Sequence, residues 1–551
     1  MNGINFSLPT LERGVNTMST PYLHDINGKK IFMVNGKPFI MLAGEVHNSS
    51  SSSAEYMEGV WEKAKTIGLN SLLLPVTWEM TEPQEGFYDF DLVDKLIEQA
   101  RKHHKKLAFL WFGAWKNAQC MYAPSWIKTD LKRFKRAQVE KGKDVAFLER
   151  YRGLQYTTLS YLCQETLSAE SKAFSALMEH IKLVDSNDGT VIAIQVENET
   201  GLQGAAREHS DKADLLFAQA VPQNFVDYMK NNTAEMSEDV LAAIQNGKNS
   251  GTWSEVFGRV AEEIFSAYYV SSYVNTVAKA GKAVYALPMF ANCWLNQGGS
   301  AGDYPSGGPV ARVMEVWRYC APAIDIIAPD IYIREFCDTC DEYTKLNNPL
   351  FIPETATHSL AGSRLVYTVG HYHGIGFAPF GFETMGEPFT VIEGFLFGMD
   401  TSDPALSKPQ NVEEYGWYNS TLNSMMELLT EKYGTRDLQA VLYERNQENT
   451  LIFGTFGFKV MMDQIPIVTR KDGVCLVLKQ AEDEFYIIAC GCMIMPFSAN
   501  PEKPYTDILN MEDGEFINRV WTMHRRLNGD EVAVKNYEKP ILLKVKLFAY
   551  N

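Results

Sequence analysis

The 551-residue chain has no run of about 20 apolar residues, which excludes a membrane-spanning helix of ordinary length. Its first residues, MNGINFSLPTLERG, lack both a basic segment and an apolar stretch, so no signal peptide is expected. A cytoplasmic protein fits, and so does a periplasmic or secreted one whose leader has been removed. Cysteine is sparse and odd in number: nine, with Cys337/Cys340 and Cys490/Cys492 the close pairs. That argues against a disulfide framework, and neither pair has a second pair placed to complete a zinc site. No HExxH occurs among the ten histidines, and no GxGxxG follows the first strand, where a dinucleotide fold would carry it. Cofactors and metals are therefore expected to be none. Positive charge is also short: 51 Lys and Arg against 68 Asp and Glu give a net charge of −17, which would repel nucleic acid.

What remains is globular, with 46% hydrophobic and 12% aromatic residues. The length exceeds one ordinary core, so more than one domain is expected. Asn35-Gly36 between KIFMV and KPFIML predicts a tight hairpin, because both residues tolerate positive φ. Eight short apolar runs then alternate with helical patterns. They are FIMLAGE, NSLLLPVTW, KLAFLWFGAW, TVIAIQVENE, AVYALPMFANCW, IDIIAPDIYI, PLFIPE and GIGFAPFGFE. Continuous apolar runs suit parallel strands buried on both faces, and eight of them suit a closed (β/α)8 TIM barrel. Two long excursions, 116–166 and 200–253, interrupt the pattern, and the second is expected to be polar and irregular. A linker-like TSDPALSKPQ and one helix near 414–433 follow. From Asp437 the apolar residues alternate with period two, which predicts a smaller antiparallel β-domain. The expected organisation is an N-terminal extension (1–28), a barrel (29–400), a linker and helix (401–435) and a β-sandwich-like domain (436–551).

In such a barrel the C-terminal strand ends form the mouth. Here they carry Glu45 and His47, Trp78, Trp115 and Asn117, Asn198 and Glu199, Asn292 and Trp294, Asp330 and Tyr332, Glu354, and Glu383. Carboxylates, amides and aromatic rings are what a sugar site needs. Glycosidic cleavage requires two acids in different protonation states, and Glu199 and Glu354 end strands that face each other across the barrel. Glu199 is expected to be the acid/base and Glu354 the nucleophile. Glu45, Trp78, Trp115, Asn117, Asn198, Trp294, Tyr332 and Glu383 are expected to bind substrate. His47 reads as structural, and Asn292 and Asp330 read equally well as loop hydrogen-bonders.

GEVHNSS after strand one, WEMTEPQEGFYDFDLVD after strand two, and QVENE after strand four resemble glycoside hydrolase family 35, the β-galactosidases. WFGAWKNAQCMYAPSWIKTD is similar to a bacterial branch of that family with a C-terminal β-domain. The resemblance implies retaining, exo-acting release of terminal β-D-galactosyl residues from oligosaccharides or plant polysaccharide side chains. Its acid/base falls on Glu199 and its nucleophile on Glu354. The chain departs from the commonest pattern at His47-Asn48-Ser49, where many members have HY and a basic residue. It departs again at Asn117, where many have an acid. Family 42, the same chemistry on an α-L-arabinopyranoside, and a silent carbohydrate-binding barrel stay open. A homo-oligomer is also open.

Overall fold

The computed structural model describes residues 20–148, 154–396, 402–445, 448–462, 471–533 and 537–551. Most of the expected extension 1–28 therefore lies outside the described residues. Its end does not: Tyr22–Ile26 is a strand, paired antiparallel with Lys29–Val34. The hairpin at Asn35-Gly36 forms as expected, with φ of 52° and 74° at its two turn residues.

Eight parallel strands close into a barrel: β1 (Met41–Glu45), β2 (Ser71–Thr77), β3 (Lys106–Phe112), β4 (Val191–Val196), β5 (Met289–Trp294), β6 (Ile326–Ile331), β7 (Phe351–Thr355) and β8 (Gly376–Pro379). They follow chain order round the ring, with β8 paired to β1 through Phe377 and Leu42. Every residue of β1, β2, β4, β6, β7 and β8 is buried, which is why these strands read as continuous apolar runs. Helix α1 (Ala54–Thr66) is capped by Ser53 and packs Met57, Val60, Trp61 and Ala64 inward. Gly68 ends it with φ +69°; a Cβ there would meet Ser420 Oγ at 2.7 Å. Helix α2 (Asp91–Lys102) buries Val93, Leu96, Ile97 and Ala100. Helix α3 (Gln164–Asp185) and helix α4 (Ala261–Val284) pack on one another outside β3 and β4.

Three expectations need correction. The second excursion is not irregular: it contains helices Asp211–Ala218, Gln223–Asn231, Glu238–Asn246 and Trp253–Phe257. Short amphipathic turns such as Phe225, Val226 and Met229 supply their buried face. The fifth strand is only Met289–Trp294, because Ala283 and Val284 complete α4. The single helix near 414–433 is two, α6 (Val412–Ser424) and Met426–Glu431, broken at Met425. Helix α6 packs on the barrel. Tyr415, Tyr418 and Leu422 join the barrel core, and Asn419 Nδ2 and Asn423 Nδ2 donate to the carbonyls of Ile67 and Gly68, 3.0 and 2.8 Å away.

The C-terminal part is antiparallel. Strands β9 (Leu438–Leu442), β12 (Val474–Lys479), β13 (Glu484–Cys490), β17 (Ile541–Tyr550), β15 (Tyr505–Ile517) and β16 (Val520–Arg526) form one sheet in that order. β10 (Glu448–Phe453), β11 (Phe456–Met461) and β14 (Met493–Ser498) form a second. Phe453 and Phe458 of the small sheet pack edge-on against Phe485 of the large one, at 5.7 and 5.0 Å.

Helix α5 (Ala361–Gly370) joins the two parts. Its fully buried Arg364 donates to both oxygens of Glu444, at 2.9 and 2.8 Å. Breaking a buried pair leaves an uncompensated charge. Glu444→Gln should therefore lower stability by about 3–5 kcal/mol. Urea unfolding followed by tryptophan fluorescence checks this, and an unchanged midpoint would refute it.

Candidate active site

The β4 end sets the site. Val196 is followed by Glu197 and Glu199, both left-handed, with φ of +65° and +45°. Two strained non-glycine residues flanking Asn198 persist only where the surroundings hold them. Here they do. Glu197 accepts the backbone N–H groups of Ala114 and Trp115, at 3.2 and 2.9 Å. Asn198 N donates to the Trp115 carbonyl at 3.3 Å. Glu199 N donates to Asn292 Oδ1 at 2.9 Å, and Ala118 N donates to the Glu199 carbonyl at 3.0 Å. The turn thus points Asn198 and Glu199 toward the barrel axis.

Strand β7 delivers Glu354 opposite. Asn198 Nδ2 and Asn292 Nδ2 donate to its Oε1 at 3.4 and 3.2 Å, and the Tyr332 hydroxyl donates to Oε2 at 2.9 Å. Three side-chain donors aimed at two oxygens is the pattern of a carboxylate. One oxygen each from Glu199, Asp330 and Glu354 lie within 4.8 Å of one another. A cation could bridge such a trio, but among the described residues the positive charge there is Lys116. Its ammonium is almost fully buried and donates to Asn198 Oδ1 at 3.0 Å, with the Phe112 ring 5.0 Å away.

The electrostatics follow from burial and crowding. Burial, then the charge of Glu354, push the Glu199 carboxyl up to about 8, with Lys116 and the Asn117 amide opposing. Burial and Glu354 likewise hold Asp330 and Glu45 well above the ordinary range. Burial disfavours the Lys116 charge, yet Glu354, Glu199, Glu45 and Asp330 together hold its pKa above the ordinary lysine value. Among the described residues, both oxygens of Glu45 are buried without a hydrogen-bond donor, and Asp330 accepts Asn292 Nδ2 at 2.8 Å through its Oδ2.

A cavity of about 670 Å³ opens over these groups. Asn117, Lys116, Glu199, Asp330, Glu354 and Tyr332 line it, as do Tyr56, Tyr156, Trp294 and Phe380. A crevice of similar volume, about 680 Å³, lies between α6 and the β15–β16 hairpin. Its Arg525 and Asp513 pair with each other, so it lacks the crowded, desolvated acids of the barrel mouth.

The structure gathers most of the expected mouth. Asn117 donates to Glu199, Trp294 and Tyr332 line the cavity, and Asn198 bridges Lys116 and Glu354. His47 also lines the cavity while its ring contacts Thr384 and Phe380. Two tryptophans do not reach it. Trp78 is fully buried, donates to Glu82 at 2.7 Å and packs on Trp126. Trp115 is buried against Tyr273 at 4.6 Å. Glu383 does not line the cavity; it accepts His47 N and Ser50 Oγ, at 2.9 and 2.7 Å, and so fixes the loop after β1. Glu45 lies deep beneath the acids. Lys116 was missed altogether, although a lysine at the end of a long apolar run was the available signal.

Fold and site define a (β/α)8-barrel protein with a buried cluster of carboxyl groups at its C-terminal mouth. Residues 31–118 match the model of glycosyl hydrolases family 35, and residues 419–536 match a domain of unknown function, DUF5597. A β-galactosidase of Xanthomonas manihotis is 27% identical over 184 residues, 33% of this chain and 27% of that protein. β-galactosidase 14 of Arabidopsis thaliana is 26% identical over 185 residues, 33% of this chain and 18% of that one. The family match covers residues 31–118, and the chain spans less than a third of the length of either relative. Among solved structures, a cold-adapted β-galactosidase from Rahnella sp. R3 superposes with a TM-score of 0.44 at 15% identity, covering 72% of this chain and 57% of that one.

Proposed function

We propose that the protein is a retaining exo-β-galactosidase that releases terminal β-D-galactosyl residues from oligosaccharides or polysaccharide side chains. The observation that carries the reading is the pairing of Glu199 and Glu354. Their nearest oxygens lie within 4.8 Å, and their hydrogen-bond surroundings differ in kind. Carboxyl groups about 5–5.5 Å apart suit double displacement, whereas an inverting site needs about 6.5–9.5 Å to admit a water. The relation to family 35 and the names of the two relatives support the choice of sugar.

In this reading Glu354 attacks the anomeric carbon while Glu199, protonated at neutral pH, gives its proton to the departing oxygen. Glu199 then takes a proton from the water that opens the glycosyl-enzyme. In the same reading Asn198, which bridges Lys116 and Glu354, meets the 2-hydroxyl, where a hydrogen bond strengthens in the transition state. Lys116 has N–H groups beyond the one given to Asn198, and both Lys116 and Asp330 line the cavity. Sugar hydroxyls satisfy such groups. The aromatic rim of Tyr56, Tyr156 and Trp294 suits the sugar that leaves. No cofactor enters these steps.

Time-resolved proton NMR on a panel of aryl and natural glycosides tests the proposal. β-Galactose should appear first and then mutarotate. The α-anomer first would contradict retention, preference for α-L-arabinopyranosides would change the sugar, and no turnover would contradict the activity.

A further inference from the structure

Beneath the site lies a second pair of acids with no part in the proposed chemistry. Glu197, from the strained turn after β4, and Glu170, from α3, are both fully shielded from solvent. Ala114 N donates to one oxygen of each, at 3.3 and 3.2 Å, so the two carboxyl groups stand side by side on one N–H. Two carboxylates cannot hydrogen-bond without a proton between them. The remaining lone pairs are met by donors from three elements. Glu170 Oε1 accepts Trp111 Nε1 at 2.9 Å and Ala114 N at 3.3 Å, and its Oε2 accepts the Tyr273 hydroxyl of α4 at 2.6 Å. Glu197 accepts Ala114 N and Trp115 N at 3.2 and 2.9 Å. Gly113 admits the pair to the backbone, since a Cβ there would stand 1.9 Å from Glu170 Oε1.

We propose that Glu170 and Glu197 share one proton, and that this pair is the positioning device that fixes the segment after β3 against the turn after β4. The coupling route is short. The pair holds the amides of Ala114 and Trp115, and the next two residues are Lys116 and Asn117. Those two bond Asn198 and Glu199, the two residues that follow Glu197. Burial, and after it the neighbouring Glu170, hold Glu197 well above the ordinary carboxyl range, in keeping with a retained proton.

The two isosteric substitutions should differ. In Glu170→Gln the new amide donates one N–H to Glu197 in place of the shared proton and the other to the Tyr273 oxygen, while its own oxygen still accepts Trp111. In Glu197→Gln only one oxygen remains for two backbone N–H groups, so one is left facing an NH₂. The inference rests on the hydrolase reading for its kinetic readout alone. Glu170→Gln should keep near-wild-type kcat and KM, yet lose one carboxylic-acid C=O band from the infrared difference spectrum at neutral pH. Glu197→Gln should lower kcat by about 10²-fold with KM little changed, the scale expected when reacting groups shift by about 1 Å. If Glu197→Gln fails to fold, the infrared comparison of wild type and Glu170→Gln decides the case. An unchanged band, or equal kinetic loss in both variants, would overturn the proposal. An inactive wild type would instead sink the hydrolase reading, with the infrared result still deciding the shared proton.

Discussion

Glu354→Ala should abolish turnover of β-galactosides, with a loss on the order of 10⁴-fold or more, the scale seen when a covalent nucleophile is removed from residues that act as a unit. Binding should survive, because the cavity walls and Glu199 remain. The loss is chemical rather than structural, since Glu354 accepts hydrogen bonds from Asn198, Asn292 and Tyr332 but supports no backbone. Azide, small enough for the vacated space, should restore part of the rate and yield the α-galactosyl azide, because attack comes from the face Glu354 had occupied. Steady-state kinetics and product NMR check both parts. Activity near wild type, or a β-azide, would exclude Glu354 as nucleophile.

Removal of the proton donor should read out differently. Glu199→Gln should cost about 10²–10⁴-fold on substrates with a poor leaving group, and far less on activated aryl galactosides that depart unaided. Azide should here give the β-galactosyl azide, since Glu354 still forms the intermediate. The wild-type pH profile carries the same information. Glu199 must be protonated to act as acid, and burial with the charge of Glu354 lifts it to about 8. Activity should therefore persist through neutrality and fall as pH rises through about 8. In Glu199→Gln that alkaline limb should vanish. An alkaline limb unaltered by the substitution would assign it to another group.

The barrel was legible because its strands are buried on both faces and so leave uninterrupted apolar runs. In the β-domain Glu448–Phe453 and much of Tyr505–Ile517 alternate as expected, whereas Val474–Lys479 and Glu484–Cys490 are buried on both faces and do not. The acid pair was legible because each Glu stands at the C-terminal end of such a run, Glu354 within Phe351–Thr355 and Glu199 three residues past Val196. What failed depends on side-chain direction where regular structure stops. Trp78 seemed to face the mouth, but the strand ends at Thr77 and Trp78 begins a one-turn helix that rotates its ring into the core. Trp115 lies past Gly113 in a loop whose path is set by Glu197, and nothing local reveals that. Lys116 read as the start of an excursion, whereas the same loop folds it back over Phe112. Glu170 sits mid-helix in α3, 27 residues before its partner Glu197, and only the closed barrel brings them together. The helices of the second excursion were hidden because each is short, five to nine residues, with polar connections between them.

The account turns on which carboxyl group becomes bonded to sugar. A 2-deoxy-2-fluoro-β-galactoside with a good leaving group slows both steps, and the second can be made the slower, so the intermediate accumulates. Digestion and tandem mass spectrometry of the trapped protein should find the fluorogalactosyl group on Glu354 alone. An adduct on Asp330, Glu45 or Glu199, or none under conditions where the enzyme turns over, would contradict the assignment.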